Sequence, residues 1–394
     1  MLIIILIVVI AVLVYLIQDF YGPKRIYLRP ATSFNPDCSR VKELIIQGSD
    51  NKGNIWASRG MTLYCLKAGN APFIKIAHVP TGLSYYWLNN FSLFRRFTNK
   101  PECLEATITS NGNICALSAG FMWIKTSGGV RFKKTMKLTH YGFGMGRGIL
   151  SNGLLTTVDG KVFFGEYFRN TERGPVKIFR SYNNGQDWDI ALEFAPGIIR
   201  HVHALQSDPY TGRLWICTGD KDNESFIGWS DDDFKSIARI GEGNQIWRSC
   251  QLVFTEDAVY WGTDTGSIEL AGIYRWDRKI KETKQLITSA GAILYGTKLL
   301  GGTIVFSTDR EGFPNERDMR TRLFVINQNQ DIFEFELGTW YIYKKGIRYS
   351  FAMTRMPRSQ GDSALFISLM NQKEFSPGEM LIFSETKMPS LARI

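Results

Sequence analysis

Two of the four histidines in this 394-residue chain, His201 and His203, lie two residues apart in the segment 199–222, IRHVHALQSDPYTGRLWICTGDKD. Side chains at this spacing face the same side of a strand, so both imidazoles point to one place. Turn residues follow, and a second apolar stretch then leads to Asp220. The segment predicts two paired strands and an acidic loop. Its two imidazoles are available for acid–base chemistry or, together with an acid, for binding a divalent metal.

Other groups suited to chemistry lie at the predicted ends of neighbouring strands. We predict catalytic roles for His201, His203, Glu166, Tyr167 and Asp264, and substrate-binding roles for Arg200, Asp220, Trp247 and Arg248. Asp309 lies at an equivalent strand end. Acids in such places also commonly bond backbone amides, and Trp247 also fits a position in the core. The convergence of acids, imidazoles, arginines and aromatics on one face is the strongest indication of a functional site.

Three kinds of chemistry are open to this set. Hydrolysis of a glycosidic bond needs an acid and a nucleophile or base, which can be drawn from Glu166, Asp220 and Asp264. Elimination at a uronate needs a cation for the sugar carboxylate, a base and an acid, and an arginine, a histidine of the pair and Tyr167 fit these roles. The third kind uses a divalent metal held by the two histidines and an acid. No other cofactor is expected.

A sequence repeat organises the strands that carry these residues. A turn residue followed by a short apolar strand occurs seven times, at intervals of 59, 48, 52, 45, 45 and 60 residues. The copies begin at Gly53, Gly112, Gly160, Gly212, Asp257, Gly302 and Asp362. A second set of apolar strands follows each copy, and a period of about 50 residues in an all-strand sequence is typical of β-propellers. We predict an all-β fold of seven four-stranded blades, with six blades as the alternative.

One polar turn carries a family resemblance. Residues 181–188, SYNNGQDW, resemble the Asp-box, Ser-x-Asp-x-Gly-x-x-Trp, with Asn183 in place of the aspartate. The asparagine can bond the turn backbone, Gly185 can take a positive φ, and Trp188 can pack between blades. The motif and the period resemble the sialidase-like (BNR-repeat) β-propeller superfamily. This resemblance implies a structural turn between third and fourth strands and a binding site on the opposite face. It also implies that a tyrosine such as Tyr167 can serve as the nucleophile of a hydrolase.

The histidine-plus-tyrosine set is also similar to that of polysaccharide lyases with propeller folds. This second resemblance implies elimination at a uronate. The two resemblances agree on a carbohydrate substrate and differ on the bond-breaking step.

The amino terminus predicts a membrane anchor. Its first 17 residues, MLIIILIVVIAVLVYLI, carry no charged side chain, which is a length at the short end for a membrane span. A signal peptide is the competing interpretation, although the basic start and small-residue cleavage site of such peptides are not evident. We predict an anchor at residues 1–18, a linker at 19–40 and a propeller at 41–394. Basic residues after the span favour a cytoplasmic propeller, and the six cysteines show no pairing pattern; the side of the membrane stays open.

The two longest intervals of the repeat carry insertions. Residues 87–97, WLNNFSLFRRF, mix aromatic and basic side chains as membrane-interface segments do. They also fit a loop whose aromatics pack on the propeller edge. Residues 348–362 are basic and polar and predict a loop.

The net charge of the chain indicates which kinds of partner it favours. With 47 Lys plus Arg against 37 Asp plus Glu, the net charge of +10 favours acidic partners. The basic residues are scattered and form no familiar recognition motif, so we expect no nucleic-acid partner. We predict a membrane-anchored, carbohydrate-active propeller, either a glycoside hydrolase or a lyase, that acts on an acidic oligo- or polysaccharide. The alternative is a non-catalytic propeller that binds a glycan or a protein.

Overall fold

The computed structural model describes residues 2–31, 38–50, 52–68, 72–82, 85–98, 105–142, 145–267, 269–313, 316–341, 350–358 and 360–385. Seven sheets are present, and in each one neighbouring strands of the chain pair antiparallel. First strands of several neighbouring sheets contact each other, and the last sheet contacts the first strand of the first sheet through Ala364–Met370, which closes a ring. This arrangement is a seven-bladed β-propeller, so the predicted fold class is confirmed and the six-bladed alternative is wrong.

Each blade contains four main strands. Blades 1 to 3 contain Ile45–Ser49, Ile55–Arg59, Thr62–Leu66 and Phe73–His78; Glu105–Ile108, Ile114–Ser118, Phe121–Lys125 and Lys133–Lys137; and Leu155–Thr156, Val162–Gly165, Val176–Ser181 and Asp189–Phe194. Blades 4 and 5 contain His201–Ser207, Leu214–Gly219, Phe226–Ser230 and Ala238–Glu242; and Leu252–Phe254, Ala258–Gly262, Gly272–Asp277 and Thr283–Thr288. Blade 6 contains Ile293–Leu299, Ile304–Thr308, Arg320–Ile326 and Ile332–Thr339. The seven copies of the repeat are the second strands of the seven blades.

The last blade is completed by the beginning of the chain. Its strands Met353–Arg355, Ala364–Met370 and Glu379–Ser384 are joined by Cys38–Val41, which pairs antiparallel with Glu379–Ser384. This pairing closes the ring because the final blade borrows its outer strand from the amino-terminal side.

The segment predicted as a linker, residues 19–40, also contributes strands. Arg29–Pro30 extends the last blade, and Arg25–Ile26 extends the first blade by pairing with Phe73–His78. The described part of this segment is therefore bound to both blades that meet at the closure. Its few strand residues escape detection in the sequence because two-residue strands have no measurable period.

The predicted loop at residues 348–362 is wrong in part. Met353–Arg355 is the first strand of blade 7, and Gln360–Asp362 pairs in parallel with the first strand of blade 6. One basic residue of this region, Arg355, forms a buried ion pair with the first strand of blade 2. Arg355 Nη2 lies 2.8 Å from Glu105 Oε2, and both side chains are buried.

The amino-terminal helix, Leu2–Tyr21, is long and apolar enough to span a membrane, and both an anchor and a signal sequence meet that description. Its last turn packs on the first insertion, which forms the 3₁₀ helix Tyr85–Asn90 and the α-helix Ser92–Thr98. The Phe20 ring lies 5.1 Å from the Trp87 ring. The Asp19 carboxylate accepts hydrogen bonds from the backbone N and the hydroxyl of Ser92, at 2.7 and 2.9 Å.

Hydrogen bonds hold the turn at residues 181–188. The Ser181 hydroxyl accepts from the backbone N of Gly185 at 2.9 Å, and Asn183 Oδ1 accepts from the backbone N of Asp187 at the same distance. Trp188 Nε1 donates to Thr135 Oγ1 of blade 2 at 3.1 Å. The turn joins the third and fourth strands of blade 3, so it lies at the opposite end of the blade from Tyr167, which follows the second strand.

Candidate functional site

The histidine pair lies where blade 4 begins. The first strand starts at His201 and pairs antiparallel with the second, so that His201 lies opposite Gly219 and Asp220 follows directly. The register shifts within the first strand, which places His203 at a bulge. Gly219 leaves room for the His203 ring, because a Cβ on this glycine would lie 2.4 Å from ring atom Cε1.

Three atoms of this hairpin lie at hydrogen-bond distance from one another: His201 Nε2, His203 Nε2 and Asp220 Oδ1. We call them the donor triangle, in the sense of atoms that can donate an electron pair to a ligand. The two nitrogens are 3.1 Å apart, and each lies 3.2 Å from the carboxylate oxygen. The histidines are 3% and 2% exposed, whereas 20% of the Asp220 side chain is accessible. A ligand therefore reaches the triangle from the Asp220 side.

Two arginines contact the carboxylate of the triangle. Arg200 Nη1 contacts Asp220 Oδ2, and Arg248 Nη2 lies 3.6 Å from Asp220 Oδ1. Burial acts to raise the pKa of Asp220, but the interactions with His201 and His203 outweigh burial and hold this pKa far below its usual range. Asp220 is therefore ionised at physiological pH, with cationic groups around it.

Tyr167 covers the His201 side of the triangle. The two ring centroids are 4.0 Å apart. Within the described residues the tyrosine hydroxyl has no hydrogen-bond partner. Burial, together with the negative groups nearby, raises the pKa of Tyr167 above its usual range. The hydroxyl is thus a protonated group that is free to bond a ligand.

A backbone contact orients His201. Its Nδ1 lies 3.1 Å from the carbonyl oxygen of Phe168. Because a carbonyl only accepts hydrogen bonds, Nδ1 carries the hydrogen and the neutral ring presents a lone pair at Nε2. Burial lowers the pKa of His201, against the opposing interaction with Asp220. The lone pair of His201 therefore points into the donor triangle.

Behind His203 lies a second group of possible ligands. His203 Nδ1 is 3.7 Å from Cys250 Sγ and 4.0 Å from Asp264 Oδ2, and those two atoms are 3.7 Å apart. Burial raises the pKa of Cys250 well above its usual range, so the thiol stays protonated. Asp264 also contacts Arg248 Nη2 at 3.0 Å. This wider set and the donor triangle are the two groups of the described residues that could hold a metal ion.

Two acidic residues of blade 6, Glu311 and Asp309, also belong to the surroundings of the site. Burial, reinforced by Asp264, raises the pKa of Glu311 to about 8. Asp309 is fully buried, and its Oδ1 accepts a hydrogen bond from the backbone N of Thr354 at 3.1 Å. Burial and Glu311 raise its pKa as well. We did not predict Glu311 or Cys250 from the sequence. The two-residue spacing of Asp309 and Glu311 is the signal that could have found Glu311, since it places both on one side of an extended segment.

The structure places two of the predicted site residues elsewhere. Glu166 is buried, and its carboxylate bonds His140 Nδ1 and the backbone N of Lys177, each at 2.9 Å. The Trp247 ring stacks on the Trp261 ring, with centroids 5.4 Å apart, and is half-buried between blades 4 and 5. The residues that the structure does bring together are Tyr167, Arg200, His201, His203, Asp220, Arg248 and Asp264.

Comparisons with known proteins agree on the fold. No protein-family model matches the chain, and no curated protein matches its sequence. Among solved structures, YCF48 bound to a D1 peptide is 11% identical, with 90% of this chain and 97% of that chain covered and a TM-score of 0.50. The structure of U3-55K is 12% identical, with 89% and 99% covered and a TM-score of 0.50. The gluconolactonase XC5397 from Xanthomonas campestris is 10% identical, with 92% and 96% covered and a TM-score of 0.42. At identities this low, the two structures with a TM-score of 0.50 show similarity of fold alone.

Proposed function

We propose that this chain is a carbohydrate-active enzyme of the sialidase-like propeller superfamily, which cleaves an acidic glycan by β-elimination. One observation carries the proposal: the free Tyr167 hydroxyl lies beside the donor triangle and close to two arginines on one face of the ring. The turn at residues 181–188 supports the superfamily, and its position at the other end of blade 3 agrees with a site on the Tyr167 face.

Each group has a role in elimination at a uronate. Arg200 and Arg248 neutralise the sugar carboxylate, which makes the hydrogen on C5 more acidic. The Asp264 carboxylate takes the C5 proton as the base, and the protonated Tyr167 hydroxyl donates its own proton to the leaving oxygen as the acid. The electron pair of the C5–H bond becomes the C4–C5 double bond, the C4–O bond breaks, and the leaving oxygen departs as a hydroxyl group. Protons and electrons balance without another reactant.

Hydrolysis is the second candidate, and a different observation favours it. Glu311, with a pKa of about 8, is protonated at neutral pH close to Asp264. A carboxylic acid beside a carboxylate is the arrangement that glycosidases use. In that reaction Glu311 protonates the leaving oxygen and Asp264 acts as the nucleophile or base.

One assay separates the candidates. The full-length protein in detergent is incubated with acidic and neutral polysaccharides, and reducing ends are measured together with the absorbance of unsaturated uronate. We expect both signals from an acidic substrate, and Tyr167→Phe should lower them at least about 100-fold, the usual contribution of a proton-transfer group. Tyr182→Phe is the matched control, because this exposed tyrosine lies in the turn at the opposite end of blade 3.

Each other outcome contradicts elimination. Reducing ends without the unsaturated product, lost in Glu311→Gln, would assign hydrolysis. Glycan binding without any product would assign a non-catalytic binding propeller. If no panel glycan binds or reacts, the carbohydrate proposal itself fails.

We also propose that Leu2–Tyr21 stays attached as a single-pass membrane anchor. The carbonyl oxygen of Tyr21 accepts hydrogen bonds from Thr62 Oγ1 and Lys75 Nζ, both at 2.9 Å. Leu93 and Phe97 of the neighbouring helix are exposed on the same side of blade 1, as expected for residues at a bilayer surface. Mass spectrometry of the membrane-extracted protein should find the peptide of residues 1–21 intact, whereas a cleaved signal sequence would remove it.

A further inference from the structure

We propose that the donor triangle binds one divalent transition-metal ion through His201 Nε2, His203 Nε2 and Asp220 Oδ1. The binding of the ion stands on the geometry of the triangle alone. A role for the ion in holding the sugar carboxylate rests on the proposed function.

The distances between the three atoms of the donor triangle match those between the ligand atoms of a metal site. Tetrahedral zinc with bonds of about 2.0–2.1 Å holds its ligand atoms about 3.3–3.4 Å apart. Octahedral coordination with similar bonds brings neighbouring ligand atoms to about 2.9–3.0 Å. The edges of the triangle, 3.1, 3.2 and 3.2 Å, lie between these values. Three ligands on one side of an ion leave the remaining positions open to water or substrate.

The hydrogen-bonding capacity of the three atoms also allows them to bind a cation. The Phe168 carbonyl takes the hydrogen of His201 at Nδ1, so the Nε2 atom of the neutral ring is an acceptor. A carboxylate oxygen accepts and does not donate. Two acceptors therefore face each other at 3.2 Å, with a second imidazole nitrogen beside them. When the hydrogen of His203 is on Nδ1, all three atoms present lone pairs, and one metal ion can bind them in place of a hydrogen bond from His203 Nε2.

The outer contacts hold the ligands in place as they do in metal sites. A backbone carbonyl binds the outer nitrogen of His201, which is the usual partner of a metal-bound histidine. Arg200 binds the second oxygen of Asp220 and leaves the first one for the ion. Gly219 admits the His203 ring, so this ligand lies against the backbone of the strand that carries Asp220.

The ligand types define the class of ion. Two imidazoles and one carboxylate suit Zn²⁺, Mn²⁺ or Fe²⁺ better than Ca²⁺ or Mg²⁺, which prefer oxygen. The positive charges of Arg200 and Arg248 oppose a cation, whereas the nearby Asp264 carboxylate favours one. With an ion bound, the positive charge of this face increases, which favours an anionic ligand such as a sugar carboxylate.

Metal titration of the full-length protein in detergent tests the site. After treatment with a chelator, Zn²⁺ and Mn²⁺ are added separately in calorimetry, and bound metal is counted by mass spectrometry. We expect one ion per chain, and a loss of affinity of at least 10-fold in both Asp220→Asn and His203→Gln. His78→Gln is the matched control, because this imidazole contacts the Thr62 hydroxyl in blade 1, away from the triangle, and its loss should leave affinity unchanged.

Co²⁺ gives a readout that does not depend on enzyme activity. Cobalt in a site of nitrogen and oxygen ligands has visible absorption bands that report its coordination, and these should be present in the wild type and the control but absent in Asp220→Asn. If neither Zn²⁺, Mn²⁺ nor Co²⁺ binds, or if binding is the same in both triangle variants, the inference is overturned. Thermal unfolding of each variant without metal shows whether it is folded.

The glycan assay with and without chelator separates this inference from the proposed function. Metal binding without any product would keep the site and reject the enzyme. Product formation by a protein that binds no metal would keep the enzyme and reject the site.

Discussion

At the scale of single residues, Glu166 and Tyr167 are neighbours with different surroundings. The Tyr167 ring packs on His201 at the donor triangle, whereas the Glu166 carboxylate bonds His140 and the backbone of blade 3. His140 in turn stacks on Phe168, with ring centroids 3.9 Å apart, and the Phe168 carbonyl orients His201. Glu166 is therefore linked to the site through two intermediate residues, and we expect it to act as a positioning residue.

This arrangement predicts the effect of Glu166→Gln. Glutamine carries no charge, and its amide can keep only one of the two hydrogen bonds of 2.9 Å. The free energy of unfolding should therefore fall by about 1–3 kcal/mol. Any glycan cleavage should persist at a reduced rate, because the Tyr167 hydroxyl is retained. Urea unfolding and the product assay measure the two effects. Complete loss of product with unchanged stability would instead support the catalytic role that we predicted for Glu166 from the sequence.

At the scale of elements, a buried carboxylate joins blade 1 to its helical insertion. Glu43 precedes the first strand of blade 1 and is 5% exposed. Its Oε2 lies 2.6 Å from Arg95 Nη2 and 3.1 Å from Arg59 Nη2, and its Oε1 lies 2.8 Å from Arg96 Nε. Burial acts to raise the pKa of Glu43, but the arginines outweigh it and lower the pKa below its usual value.

Glu43→Gln should therefore destabilise the protein by about 3–5 kcal/mol, because it removes a buried negative charge that contacts the buried Arg95 guanidinium. Glu242→Gln is the matched control: its carboxylate contacts Arg239 at the surface, where an ion pair contributes only about 0–1 kcal/mol. Chemical unfolding of both variants gives the comparison. Equal stability of the two variants would show that the insertion is held by its apolar contacts alone.

Lowering the pH should have a related effect. Because the pKa of Glu43 is depressed in the folded state, its stabilising contribution is present above the ordinary value of 4.5 and is lost as the pH falls through the folded-state pKa. The difference in stability between wild type and Glu43→Gln should accordingly shrink below pH 4.5.

At the scale of the whole molecule, the ring closes through the amino-terminal strand. Cys38–Val41 supplies the outer strand of the last blade, and Arg25–Ile26 pairs with the first blade. Without this strand, Glu379–Ser384 becomes an exposed edge, which favours aggregation through pairing with other chains.

Two truncations test the closure. Removal of residues 1–21 deletes the apolar helix and keeps both pairings, so the remaining propeller should fold and unfold cooperatively. Removal of residues 1–41 also deletes the closing strand, and we expect a lower melting temperature and concentration-dependent aggregation. Thermal unfolding and light scattering measure these outcomes. Equal behaviour of the two truncated proteins would mean that the closing strand is dispensable.

How well the sequence predicts this site depends on how far apart along the chain the interacting residues lie. His201 and His203 lie on one strand and Asp220 follows its neighbour, so their meeting could be expected from a single hairpin. The contacts of Glu166 could not be expected from a single hairpin, because its partner His140 belongs to another part of the chain, 26 residues away. Cys250 and Glu311 join the site from blades 5 and 6, and neither occurs in a motif that marks it.

The sequence by itself determined the strand repeat, which indicated seven blades, and the side-by-side histidines, because the repeat recurs about every 50 residues and the histidine spacing is local. Tertiary structure alone decided which carboxylates face the site and which are bound elsewhere. It also decided that residues predicted as a linker complete the ring. The physical reason is the same in both cases: a charged group or a strand edge is satisfied by whatever partner the packed ring places beside it, and that partner is distant in sequence.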